Sequence, residues 1–163
     1  MLKPLFTKEE IDCAVKRLAD SIEKDFDDEE ILFVCLLKGS FMFLSDLIRS
    51  IKNPSRVDFM RVSSYGSAMK SKGEITITKD LEEDIEGKNV IIVEDIIDSG
   101  LTLKVIKEML IKSRPKTLKI CALLNKKACR LVKMAVSYTI LTLPTTYPVW
   151  ISLVAYSLKQ KKL

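Results

Sequence analysis

Residues 89–103, Asn89-Val90-Ile91-Ile92-Val93-Glu94-Asp95-Ile96-Ile97-Asp98-Ser99-Gly100-Leu101-Thr102-Leu103, decide how this chain is read. The β-branched run from Val90 to Val93 follows a Gly87-Lys88 turn, and a continuous apolar run of this kind fits a central parallel strand. It ends in two adjacent carboxylates, Glu94 and Asp95, and a third, Asp98, follows. Ser99-Gly100-Leu101-Thr102 then opens a helix, whose first backbone N–H groups have no intrahelical partner. Free N–H groups gathered at a helix N-terminus bind phosphate.

Carboxylates repel phosphate, so acids beside an anion cradle need another task. Ribose hydroxyls or a Mg²⁺ ion would suit Glu94 and Asp95, because Mg²⁺ takes oxygen ligands shared between one or two carboxylates and substrate phosphates. The whole stretch therefore reads as a site for a phosphorylated sugar. The plainer alternative is a strand, an acidic turn and a helix capped by Asp98 or Ser99.

Outward from this stretch the chain alternates strands and helices. Thr7-Lys8-Glu9-Glu10 is a capping box, and Ile11, Ala14, Val15, Leu18, Ala19 and Ile22 follow at helical spacing, so a helix is expected to about residue 26. Ile31 to Leu37 reads as a buried strand broken at Lys38-Gly39-Ser40, and Phe41 to Ile51 as a second helix. Val57 to Ser63 and Glu74 to Thr78 read as strands flanking a polar, Gly-bounded mobile loop over 64–73. A third helix over Leu101 to Ile111 and a strand over Leu118 to Leu124 complete the pattern of a parallel α/β sheet. Ligands of such sheets bind at the carboxyl ends of strands. Lys38-Gly39, Glu94 to Thr102 and Asn125 to Lys127 all fall at such ends.

Composition sets the frame. A chain of 163 residues, 47% hydrophobic and 30% charged, suits one globular domain with a sizeable core. The first residues lack the apolar run and cleavage site of a signal peptide. Cys13, Cys35, Cys121 and Cys129 are scattered without metal-ligand spacing and there is no histidine, so reduced thiols and a cytoplasmic location are expected. All 22 acids lie in residues 1–108, while 109–163 carry only bases. Such a basic stretch can serve nucleic acid or an anionic surface. Residues 134–158 hold no charged side chain; a divergent buried β-segment and a frame change in the sequence both account for that. Pro144, Pro148 and several threonines argue against a membrane span there.

The stretch 89–103 resembles the phosphoribosyl diphosphate (PRPP) motif of the type I phosphoribosyltransferases, most closely the hypoxanthine-guanine branch. The resemblance runs from about residue 7 to 133. It implies a parallel sheet flanked by helices with a small hood subdomain, one domain over 1–163 with its core at about 30–133. The hood would be built from the N-terminal segment and about 134–163. It further implies Glu94 and Asp95 on the ribose and metal, Asp98 as general acid/base near purine N7, and Ser99, Gly100, Leu101 and Thr102 around the 5′-phosphate. Leu37-Lys38-Gly39-Ser40 matches the pyrophosphate loop, with Arg130 assisting at the anionic site. Lys126 would bond the purine 6-oxo group, since an ammonium can only donate. Ser64 and Tyr65 would open a loop that folds over the site. Tyr147 would stack on the base and Pro148 present a carbonyl to its edge.

The tail departs from the family pattern. Val154 stands where a metal-binding Asp is expected and Gln160 where a pyrophosphate-binding Arg is expected, which puts a second metal in doubt. The expected function is purine salvage: transfer of 5-phosphoribosyl from PRPP to N9 of hypoxanthine or guanine, with Mg²⁺, giving IMP or GMP and pyrophosphate. A homodimer or homotetramer is expected, with neither a membrane nor a nucleic acid as partner. An RNA-binding regulator of the same family, a xanthine-preferring enzyme and a catalytically weakened relative are the alternatives.

Overall fold

The structure is a computed structural model that describes residues 3–64, 75–143, 149–152 and 157–160, with side chains over 6–63 and 75–142. In chain order the elements are β1 (Lys3–Phe6), α1 (Lys8–Phe26), β2 (Ile31–Leu36), α2 (Phe41–Ser50), β3 (Ser55–Ser64) and β4 (Ile75–Lys79). They continue with β5 (Asn89–Ile97), α3 (Leu101–Ile111), β6 (Thr117–Lys126), a 3₁₀ turn at Lys127–Cys129, β7 (Tyr138–Leu143), β8 (Val149–Ser152) and β9 (Ser157–Gln160).

The capping box forms at α1: Thr7 Oγ1 accepts from the Glu10 N–H at 3.2 Å, and Glu10 Oε2 accepts from the Thr7 N–H at 2.7 Å. The apolar stripe that follows lies buried on one face of the main sheet with Phe43, Leu44 and Leu47 of α2. Strand residues alternate between the two faces. Phe33, Cys35, Ile91, Val93 and Cys121 point to α1 and α2, whereas Leu32, Val34, Val90, Ile92 and Ile120 pack with Leu103, Ile106 and Leu110 of α3. Both faces are covered, which is why β2 and β5 read as unbroken apolar runs.

The six strands run in the order β4-β3-β2-β5-β6-β7. All neighbours are parallel except β4, which returns antiparallel to β3, as the Glu74–Thr78 segment suggests. From β3 and β4 on one side of β2 the chain crosses to β5 on the other, so the order reverses between β2 and β5. That switch point is where an open α/β sheet leaves a crevice for ligand.

Two strands run longer than their apolar cores. β5 continues through Glu94 and Asp95 to Ile97 because β6 keeps pairing with it, up to Ile97↔Asn125, after its pairing with β2 has ended at Cys35↔Val93. β6 likewise reaches Lys126, paired with Leu143 of β7, so Lys126 is the last residue of the strand and not a residue of the following loop. β7 belongs to this sheet, which therefore extends past the boundary expected at residue 133. β1, β9 and β8 form a separate three-stranded antiparallel sheet that joins the two ends of the chain.

Candidate active site

Three segments meet at the carboxyl ends of β2, β5 and β6. The first is the turn after β2, Leu37 to Ser40, in which the Leu37–Lys38 peptide bond is cis. Gly39 lies directly against Asp95: a Cβ built on it would fall 2.0 Å from Asp95 Oδ2. Ser40 is fully buried, with Oγ 2.8 Å from the Leu36 carbonyl and 3.1 Å from Glu94 Oε1. This hydroxyl ties the turn to the acid pair.

The second segment is the end of β5. Where β2 no longer pairs with it, the acids satisfy the backbone: Asp95 N–H donates to Glu94 Oε1 at 3.0 Å, and Ile96 N–H to Asp95 Oδ1 at 2.7 Å. Burial, then hydrogen bonding and charge repulsion with Asp95, push the Glu94 carboxyl well above the usual carboxylate range. Neither acid is within ion-pair distance of a lysine or arginine among the described residues. Ser99 and Gly100 follow. Gly100 is the N-cap of α3 at φ +81°, a left-handed conformation that glycine adopts without strain, and no side chain caps the helix by the usual bond. Ser99 Oγ accepts a long hydrogen bond from the Leu101 N–H, at 3.4 Å. Glu94, Asp95, Asp98, Ser99, Gly100 and Thr102 all line one cavity of about 290 Å³. Leu101 is exposed at the helix start and does not line it.

The third segment is the end of β6. Lys126 is buried except for 6% of its surface, and its Nζ lies 3.5 Å from Oδ2 of the exposed Asp98. Asn125, also buried, accepts from Arg130 Nη2. Hydrogen bonding to Asp98, with burial and its charge, raises the Cys129 thiol above its ordinary value.

The structure thus brings the β5 stretch, the Lys38–Gly39 turn and Lys126 to one end of the sheet. Ser64 closes β3, and Tyr65, Tyr147, Pro148 and Val154 lie outside the described residues. Ser40 and Asn125 are additions that strand-end reasoning had within reach but did not select. Their signal is a small polar residue directly beside a functional one at a strand end.

The phosphoribosyl transferase domain model matches residues 3–158. The chain belongs to this family. Among phosphoribosyltransferases of the curated kind, the hypoxanthine-guanine phosphoribosyltransferase of Aquifex aeolicus is 52% identical over 132 residues, covering 80% of this chain and 74% of the relative. The hypoxanthine phosphoribosyltransferase of Buchnera aphidicola is 43% identical, covering 91% and 85%. A crystal structure of a Bacillus anthracis hypoxanthine-guanine phosphoribosyltransferase aligns with a TM-score of 0.87 at 39% identity, covering 98% of each chain. The phosphoribosyltransferase fold is therefore present through the six-stranded sheet and its helices. Among the described residues no helix is long and apolar enough to cross a membrane.

Proposed function

We propose that this phosphoribosyltransferase transfers the 5-phosphoribosyl group of PRPP to N9 of hypoxanthine or guanine, releasing pyrophosphate and yielding IMP or GMP. The observation that carries the reading is the Lys126–Asp98 pair. A buried ammonium, which can only donate, stands beside a carboxylate at the end of the sheet that carries the phosphate loop. Lys126 selects a base with a 6-oxo acceptor, and Asp98 holds the N7 proton as N9 bonds to the sugar.

The other residues divide the substrate among them. The free N–H groups at Ser99 to Thr102 receive the 5′-phosphate. Glu94 and Asp95 hold the ribose hydroxyls, and Lys38 with the Gly39 backbone holds the leaving pyrophosphate. Glu94 and Asp95 are a pair of oxygen donors without a cationic partner among the described residues, a donor set that fits Mg²⁺. No group of three or more candidate metal-ligating side chains exists among the described residues, so the remaining ligands would be substrate and water oxygens. When bound, the ion neutralises diphosphate charge.

Cys13, Cys35, Cys121 and Cys129 are all free thiols, in keeping with a reducing compartment such as the cytoplasm. The β1–β9–β8 sheet, built from both chain ends, serves as the hood; the base contacts expected of Tyr147 and Pro148, and the covering loop expected after Ser64 from Tyr65 onward, fall outside the described residues. The chain assembles as a homodimer or homotetramer. The test is a spectrophotometric assay with PRPP, Mg²⁺ and each of hypoxanthine, guanine, xanthine and adenine. Turnover of 6-oxopurines but not adenine is expected. A folded protein that turns over no base would sink the proposal.

A further inference from the structure

Arg130 lies behind the phosphate loop, and three interactions of it and its neighbour Leu131 fix it there. Its Nη2 donates to Oδ1 of buried Asn125. Its stem covers Gly100 so closely that a Cβ built on Gly100 would meet Arg130 Cδ at 2.9 Å and Nε at 3.5 Å. The next residue, Leu131, donates its N–H to the Ser99 carbonyl at 3.0 Å. Arg130 Nε is sealed from solvent with no partner among the described residues, and burial pulls the guanidinium below its ordinary pKa.

The loop needs such support. Gly100 holds a left-handed conformation and caps α3 without a side chain, so within the loop only the long Leu101 N–H to Ser99 Oγ bond, at 3.4 Å, helps to aim its N–H groups. Loops of this kind bind an anion well only when preorganised. We infer that Arg130 is a positioning residue: Asn125 holds its guanidinium, and Arg130 and Leu131 together hold Ser99 and Gly100 in the conformation that presents the α3 N-terminus to the 5′-phosphate. This rests on the transfer reading of the site and replaces the pyrophosphate contact that the family resemblance implies for Arg130. The side chain also places a positive charge behind the loop, where it adds to the field of the helix N-terminus without touching the ligand.

Calorimetric titration with IMP, and inhibition by Mg-pyrophosphate, separate the two roles. In Arg130→Met, which keeps the stem and loses the charge and the Asn125 bond, IMP binding weakens roughly tenfold or more while the pyrophosphate inhibition constant stays within about twofold. Arg130→Lys recovers part of the loss. Asn125→Ala weakens IMP binding less, and the double variant binds no worse than Arg130→Met alone, because Asn125 acts through Arg130. A weakened pyrophosphate interaction with intact IMP binding, or additive losses in the double variant, overturns the inference. If Arg130→Met does not fold by circular dichroism, Asn125→Ala with Arg130→Lys carries the same comparison. Wild-type protein that binds no IMP overturns the underlying transfer reading, and does so before any substitution is compared.

Discussion

Gly39 and Asp95 share one space: a Cβ on Gly39 would stand 2.0 Å from Asp95 Oδ2 and 2.6 Å from its Cγ. The turn after β2 therefore rests directly on a carboxylate of β5, with no room for a side chain between them. Gly39→Ala must displace either the turn or the acid. Displacement of about 1 Å in a site of this kind costs roughly a hundredfold. The expected outcome is that loss in kcat/KM for PRPP, with the melting temperature lowered by only a few degrees because the strain is about 1–3 kcal/mol, measured by steady-state kinetics and thermal unfolding. Wild-type kinetics in Gly39→Ala would remove the Asp95 contact from the mechanism.

Ser40 bonds the same turn to Glu94, and its single proton serves two acceptors, the Leu36 carbonyl and Glu94 Oε1. Ser40→Ala loosens the Glu94 side chain, leaving it held by the Asp95 N–H alone. A net hydrogen bond contributes about 0.5–1.5 kcal/mol, so the KM for PRPP rises by a few-fold up to about tenfold while the KM for the base stays put. Equal rises in both constants would argue against a specific tie to the ribose side.

Asp98 and Lys126 are predicted to fail differently. Asp98→Asn removes the group proposed to handle the N7 proton and is expected to lower kcat by about 10²–10⁴-fold. Lys126→Met removes the proposed donor to the 6-oxo group and is expected to raise the KM for hypoxanthine, with discrimination against adenine reduced. Both are read from kcat and KM with each base. A Lys126→Met enzyme that still rejects adenine as wild type does would assign the selection elsewhere.

Asp58 supplies a test of stability away from the site. It is buried and accepts from the N–H groups of Phe59 (2.7 Å), Glu82 (2.7 Å) and Glu83 (3.0 Å). Burial alone would raise its pKa, but these donors, with Lys79, hold it below the ordinary value. A depressed folded-state pKa gives stability that is fully present above the unfolded value near about 3.9 and lost as pH falls through the folded value. Asp58→Asn should cost about 1.5–3 kcal/mol at pH 7 by urea denaturation, and the gap from wild type should close below about pH 4. A gap that is constant with pH would mean that the charge contributes nothing.

The residue pattern alone carried much of the architecture. The capping box at Thr7–Glu10, the unbroken apolar runs of β2 and β5, and the helix over Leu101–Ile111 all act within a few residues of chain. Local stereochemistry and face burial are enough to specify them. The cluster Glu94 to Thr102 was legible for the same reason, because strand end, acids and helix start are contiguous.

Other relationships were decided only by the tertiary structure. The side-by-side parallel pairing of β2 and β5 creates the switch point and sets Gly39 on Asp95 and Ser40 on Glu94. The longer partnership of β5 with β6 carries the strand through its acids, and the pairing of β6 with β7 turns Lys126 into a buried strand residue. Arg130 acquires its place behind Gly100 in the same way. A strand's apolar period records which face is buried but not which strand lies beside it. Partner choice is fixed by the packing of the whole sheet, and with it every contact between residues distant in sequence.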